Sequence, residues 1–150
     1  DDAGRAWANG VFDYQIEVYD PEATGQWRIR RECKLVEYPA AYREQQESEM
    51  VMEMEVGRYF VKLPPLQPAI RGMEWTGRGE MWVFQSAYID SPLVQVDVFD
   101  SDGVFVRAFL ADRSLQGMPI GRDHLWSSDT AADGSPLLIY SRYWFEDKER

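Results

Sequence analysis

A four-residue pattern occurs three times in this chain: Gly4-Arg5-Ala6-Trp7, Gly79-Glu80-Met81-Trp82 and Asp123-His124-Leu125-Trp126. Each copy places a turn residue before one variable residue, one apolar residue and a Trp, and β-favouring residues follow. Internal repetition implies one supersecondary unit used several times, each copy burying a face on its neighbour. A second pattern accompanies it. Tyr19-Asp20 with Gly25, and Phe99-Asp100 with Gly103, share an aromatic-Asp-turn-Gly ending.

Alternation places the strands around these marks. Tyr14, Ile16 and Val18 fall on one face of a strand that ends in the Asp20-Pro21 turn. Gln26 to Arg31 then forms a strand whose charges suit a solvated sheet edge. Residues 4–33 therefore read as three antiparallel strands. From Ala69 the pattern is complete: Ile70 to Trp75, a turn at Gly77-Arg78-Gly79, Met81 to Gln85, Val94 to Asp100, a hairpin turn at Ser101-Asp102-Gly103, and Phe105 to Leu110. The last part supplies Met118 to Ile120, Leu125 to Ser128 and Leu137 to Tyr143.

The spacings fit a propeller. Trp82 and Trp126 lie 44 residues apart, and Gln95 and Leu137 lie 42 apart, within the roughly 40 to 50 residues of a blade. Trp7 and Trp82 are 75 apart, which returns to near that length once the irregular segment between Lys34 and Gln67 is set aside. The predicted fold is all-β, with about two and a half four-stranded antiparallel propeller blades. Its parts are a partial blade (1–34), an acidic, partly helical insertion (35–67), a complete blade (68–111), a last blade lacking its outer strand (112–145) and a tail (146–150). A small β-sandwich from the same strands is the alternative.

Within the insertion, Pro39 suits a first helical turn, Ala40 to Met50 contains helix formers, and Gly57 suits a C-terminal cap. Met52, Met54 and Val56 alternate with Glu53 and Glu55, so an extended second half stands as the other reading. Pro64, Pro65 and Pro68 end regular structure. Six acids, Glu37, Glu44, Glu47, Glu49, Glu53 and Glu55, crowd this region; they read as a solvated face or as a surface for a basic partner.

The formal net charge of -10 repels a phosphate backbone, so nucleic acid is not an expected partner. No apolar run has membrane-span length. The single Cys33 excludes an internal disulfide and a multi-cysteine metal site, and it reads as a small apolar residue. The chain opens on turn chemistry, Asp1-Asp2-Ala3-Gly4, without an initiating Met or leader features, and reads as part of something longer.

Taken together, Pro68-Ala69-Ile70, Gly79-Glu80-Met81-Trp82-Val83 and Val96-Asp97-Val98-Phe99-Asp100-Ser101-Asp102-Gly103 resemble a blade of the bacterial six-bladed β-propellers related to NHL-repeat proteins. The segment ending in Arg28-Ile29-Arg30-Arg31, with the Glu-rich insertion after it, resembles the same group. The resemblance implies the C-terminal part of a six-bladed ring. Further blades would precede Asp1, and the chain's own N-terminal region would supply the missing outer strand. It also implies an extracytoplasmic location, periplasmic or secreted.

The expected function is a non-catalytic binding or protein-interaction scaffold, with no cofactor. The alternative is a metal-dependent, lactonase-like hydrolase of the propeller class, which needs several converging oxygen ligands for a hard cation; no motif for one is visible, and Glu74 and Asp97 read as ordinary exposed strand positions. His124, beside Asp123 and near Ser127, Ser128 and Asp129, fills the variable slot that Arg5 and Glu80 fill elsewhere. The repeated Trp residues read as packing between blades. In an up-and-down blade the long second-to-third loops and the inter-blade connections share one end, where binding tends to reside. That places the candidate binding residues at Asp13, Tyr88, Asp90 and Arg113, for a protein or small-molecule ligand.

Overall fold

The computed structural model describes residues 5–10, 12–22, 26–49, 51–54, 57–60 and 62–143. Gly4, Gly25, Val56 and the 146–150 tail, each named above, lie outside the described residues.

The strands pair antiparallel with their neighbours in sequence. β1 (Ala6–Asn9), β2 (Gln15–Tyr19) and β3 (Gln26–Arg30) form a three-stranded sheet. After α1 (Ala40–Glu49), β4 (Val51–Met54) and β5 (Gly57–Phe60) form a hairpin. A four-stranded meander follows: β6 (Ile70–Trp75), β7 (Met81–Gln85), β8 (Leu93–Phe99) and β9 (Phe105–Asp112). A last hairpin joins β10 (His124–Thr130) to β11 (Pro136–Arg142). This is an all-β, antiparallel architecture with one short helix and open sheets, consistent with a partial propeller.

The shared aromatic-Asp ending has a local cause. Asp20 Oδ1 accepts the Glu22 amide at 2.9 Å, and Asp100 Oδ1 accepts the Asp102 amide at 2.9 Å. Each carboxylate thus stands in for a backbone acceptor and turns the chain. Gly103 completes the second turn at φ 79°, a conformation that a Cβ disfavours.

The meander is the middle layer. Along β7, Met81 and Val83 face one way and Trp82 and Phe84 the other, and all four are buried. On the first side they join Tyr14, Ile16, Val18 and Phe99, with Trp7, Trp27 and Ile29 packed against them from the β1–β3 sheet. On the second side Trp82 and Phe84 join Val94, Val96 and Val98, with Ile120 and Tyr143 arriving from the last segment. Sheets that pack on both faces need such unbroken apolar runs. Two of the repeated Trp residues bridge sheets as expected. Trp7 meets Trp75 edge-on at 5.1 Å, and Trp82 meets Tyr143 at 5.4 Å.

Two expectations change. The strand expected at Met118 to Ile120 contracts to a single bridging residue, Ile120, paired with Leu125 and Thr76. Pro119 lacks the N–H that a longer ladder would use. In the insertion, Gly57 opens β5 instead of capping α1, which ends at Glu49. The extended reading of the second half therefore holds for β4, where alternation outweighs helix propensity. The insertion leaves and returns through a narrow neck, where Tyr38 donates its amide to Pro65 O at 2.9 Å and Gln67 donates to Val36 O at 2.8 Å.

Candidate functional site

Where the β1–β3 sheet meets the meander, the apolar boundary carries a polar cluster. Asp97, at the middle of β8, is fully buried, whereas sequence alternation gave it a solvated face. It is buried because its sheet is covered on both sides. Gln85 Nε2 donates to Asp97 Oδ2 at 2.7 Å and Gln95 Nε2 to Oδ1 at 3.0 Å. Arg31, from the segment after β3, brings Nη1 to 3.1 Å from Oδ1. The same guanidinium lies 3.9 Å over the Phe105 ring, a favourable site for a cation. A buried carboxylate is stable only with this degree of pairing.

Tyr14 and Cys33 border the cluster. Burial, and next the Asp97 carboxylate, hold the Tyr14 phenol well above its ordinary pKa. Its hydroxyl interacts with Asp97 electrostatically but without full hydrogen-bond geometry. Burial also raises the Cys33 thiol, although the Tyr14 backbone opposes the shift. Both groups therefore stay protonated at neutral pH, and Cys33 lacks the thiolate character that nucleophilic chemistry uses. Glu74 is part-buried, and burial raises its carboxyl as well.

Above the cluster lies an open cleft of about 560 Å³ between the β1–β2 connection and the chain leaving β3. Its walls carry charges of both signs, Asp13 and Glu32 as well as Arg30 and Arg31, alongside apolar Phe12 and Leu35. Lys34, between the lining residues Cys33 and Leu35, reaches the β7–β8 loop, its Nζ 3.5 Å from the Tyr88 hydroxyl and 5.9 Å from that ring.

The residues singled out from loop placement have different surroundings. Asp13 is an exposed cleft residue. Tyr88 is 56% exposed in the β7–β8 loop, outside the cleft lining, where Lys34 meets it. Asp90 is exposed in the turn of the β7–β8 loop. Arg113 is half-buried and turned inward: it donates to Ile89 O at 2.7 Å and Ala87 O at 3.4 Å, and also to Tyr88 O. Its guanidinium thus shapes the loop that presents Tyr88. Arg31, Gln85 and Gln95 were missed in the sequence. The available signal was the pair Gln15-x-Glu17 and Gln95-x-Asp97, the same polar motif at one register of two sheets.

His124 bonds its neighbour, with Nδ1 3.0 Å from Asp123 Oδ1, and stacks on Tyr140 at 5.2 Å. Ser128 lies four residues along the same strand, about 13 Å away at strand rise, so no Ser-His-Asp geometry forms with it. Among the described residues, no three His, Cys, Asp or Glu side chains converge as a metal site would require. No helix among them is long and apolar enough to cross a membrane. Set against known proteins, the chain matches no family model, no curated protein and no solved structure.

Proposed function

We propose that the chain is part of a bacterial six-bladed β-propeller related to NHL-repeat proteins, and that it serves as an extracytoplasmic, non-catalytic binding scaffold. Blades N-terminal to it complete the ring. The observation that carries the binding reading is the cleft beside Asp13, Arg31 and Glu32, with Lys34, next in sequence to the lining residues Cys33 and Leu35, reaching the Tyr88 hydroxyl at 3.5 Å. A rigid two-sided sheet supports it, and mixed charges next to apolar walls suit a ligand held by several weak polar contacts. The protonated Cys33 and Tyr14 favour recognition over nucleophilic chemistry.

The test is a panel of peptides and small polar molecules screened against the full-length protein by NMR, with Tyr88→Ala and Asp13→Ala as probes. The reading expects shifts confined to residues 12–15, 30–35 and 88, and weakened binding in both variants at unchanged stability. Lactone turnover that disappears with a chelator would replace it with the hydrolase reading. Shifts confined to another face would remove the cleft from it.

A further inference from the structure

The charges lining the cleft are not equally engaged. Arg31 is neutralised by Asp97 at 3.1 Å and covers the Phe105 ring. Arg30 gives its Nε to the neutral Gln15 Oε1 at 3.0 Å, so its charge stays open. Asp13 and Glu32 are exposed, and among the described residues their carboxylates form no hydrogen bond or ion pair. Two open carboxylates against one open guanidinium leave the cleft with an excess of negative charge.

Its interior carries the same sign. Tyr14 belongs to the lining and is 3% exposed, yet its hydroxyl lacks a hydrogen-bond partner, a costly state for a buried polar group. Burial leads the upward shift of the Tyr14 phenol, and among the charges acting on it Asp97 outweighs Arg31. The Cys33 thiol, also in the lining, is raised chiefly by burial, with Asp97 and Asp13 adding to the shift against the Tyr14 backbone. Two groups on separate segments thus sense a negative potential despite the arginines beside them.

We infer that the cleft takes a protonated amine carried on an apolar stem, with the ammonium held by Asp13, Glu32 and the Tyr14 oxygen and the stem lying along Phe12 and Leu35. An ammonium has three donors and no acceptor, and a phenol can turn its proton toward one neighbour while its lone pairs accept from another. Asp97 is the neighbour that would take the Tyr14 proton. Phe12, 43% exposed, adds an aromatic face of the kind cations favour. A carboxylate in the same place would meet Asp13, Glu32 and the field of Asp97. The formal net charge of -10 draws a cation toward the molecule and repels an anion.

The inference rests on the cleft being the binding site, and one titration series separates the two. Hexylammonium, hexanol and hexanoate, similar in length and different in charge, are titrated into the full-length protein and followed by NMR. Hexylammonium is expected to shift residues 12–15 and 30–35 and to bind about tenfold tighter than hexanol, the worth of one charge-assisted contact, with hexanoate the weakest. Asp13→Asn and Glu32→Gln, both at exposed positions, should weaken hexylammonium, and Arg30→Gln should tighten it. Hexanol or hexanoate binding as tightly in the cleft overturns the inference and leaves the cleft reading standing. Absence of any shift with hexylammonium overturns the inference alone, and shifts confined to another face with all three probes overturn both. Nα-acetyl-lysine methylamide identifies the source of the amine: tighter binding than hexylammonium assigns it to a protein side chain, weaker binding to a free alkylamine, and either result keeps the class.

Discussion

Arg31 and Asp97 stand 66 residues apart in the chain and meet at 3.1 Å across the boundary between two sheets. The Asp97 side chain is fully buried while Arg31 is 34% exposed, so the two partners are unequal. Without Arg31, a buried carboxylate retains only two amide donors; without Asp97, the guanidinium still reaches water and the Phe105 ring.

Arg31→Met is therefore expected to destabilise the protein by about 3 kcal/mol, near the lower end for a broken buried pair. Replacing both partners, as Arg31→Met with Asp97→Leu, is expected to recover most of that loss. Urea titrations of the three variants check it. A double variant no more stable than Arg31→Met would show that the pair does not act as a unit.

Tyr14 gives the protein an alkaline limit. Its folded pKa is raised, so the native state holds the phenolic proton more tightly than the unfolded chain. The resulting stability is complete below the unfolded tyrosine value near pH 10 and falls as pH rises above it, by up to about 1.4 kcal/mol per pH unit. Tyr14→Phe should flatten this fall between pH 10 and 11 in urea midpoints. A residual slope is expected from Tyr143, which burial also raises.

Gly103 combines a left-handed conformation with a crowded site. A Cβ there would lie 2.9 Å from Ile29 Cδ1 and 3.4 Å from Trp27 Nε1, and the backbone itself disfavours an L side chain by roughly 1 to 2 kcal/mol. Gly103→Ala should lower stability by at least that amount. Gly134→Ala shares the positive φ in open space and should lose less. Equal losses in thermal unfolding would remove the inter-sheet contact from the explanation.

Arg113→Ala tests how the Tyr88 loop is held. The guanidinium gathers the carbonyls of Ala87, Tyr88 and Ile89, and its loss should cost about 1 kcal/mol for each well-formed bond. Because the loop is at the surface, the effect should be local. Hydrogen exchange at the Ser91 amide, which bonds Tyr88 O at 2.9 Å, should accelerate about tenfold while β7 and β8 stay protected.

The meander was legible because its signals are local. Runs of β-favouring residues bounded by the Gly77-Arg78-Gly79 turn placed Ile70 to Trp75 and Met81 to Gln85 on their observed bounds, and Asp102-Gly103 marked its own turn. Asp97 was not legible. Alternation put it opposite Val96 and Val98, which reads as a wet face, and only the arrival of a sheet from far upstream in the chain makes that face dry. The inward bonding of Arg113 was not legible for a related reason: loop placement identified its neighbourhood, but the carbonyls it holds depend on how the β7–β8 loop folds back. The hairpin of β4 and β5 lay between two readings because four-residue strands carry too little pattern to outvote good helix formers.

The neck at Tyr38–Pro65 and Val36–Gln67 has a consequence for how this protein can change. Two backbone hydrogen bonds close the chain before the insertion begins, so the sheets feel the closure and not the contents. Lengthening a segment beyond a closed neck adds only a logarithmic entropy term. The stretch from 39 to 64 thus behaves as an exchangeable cassette, open to replacement by sequences of other lengths while the packing between β3 and β6 is inherited unchanged.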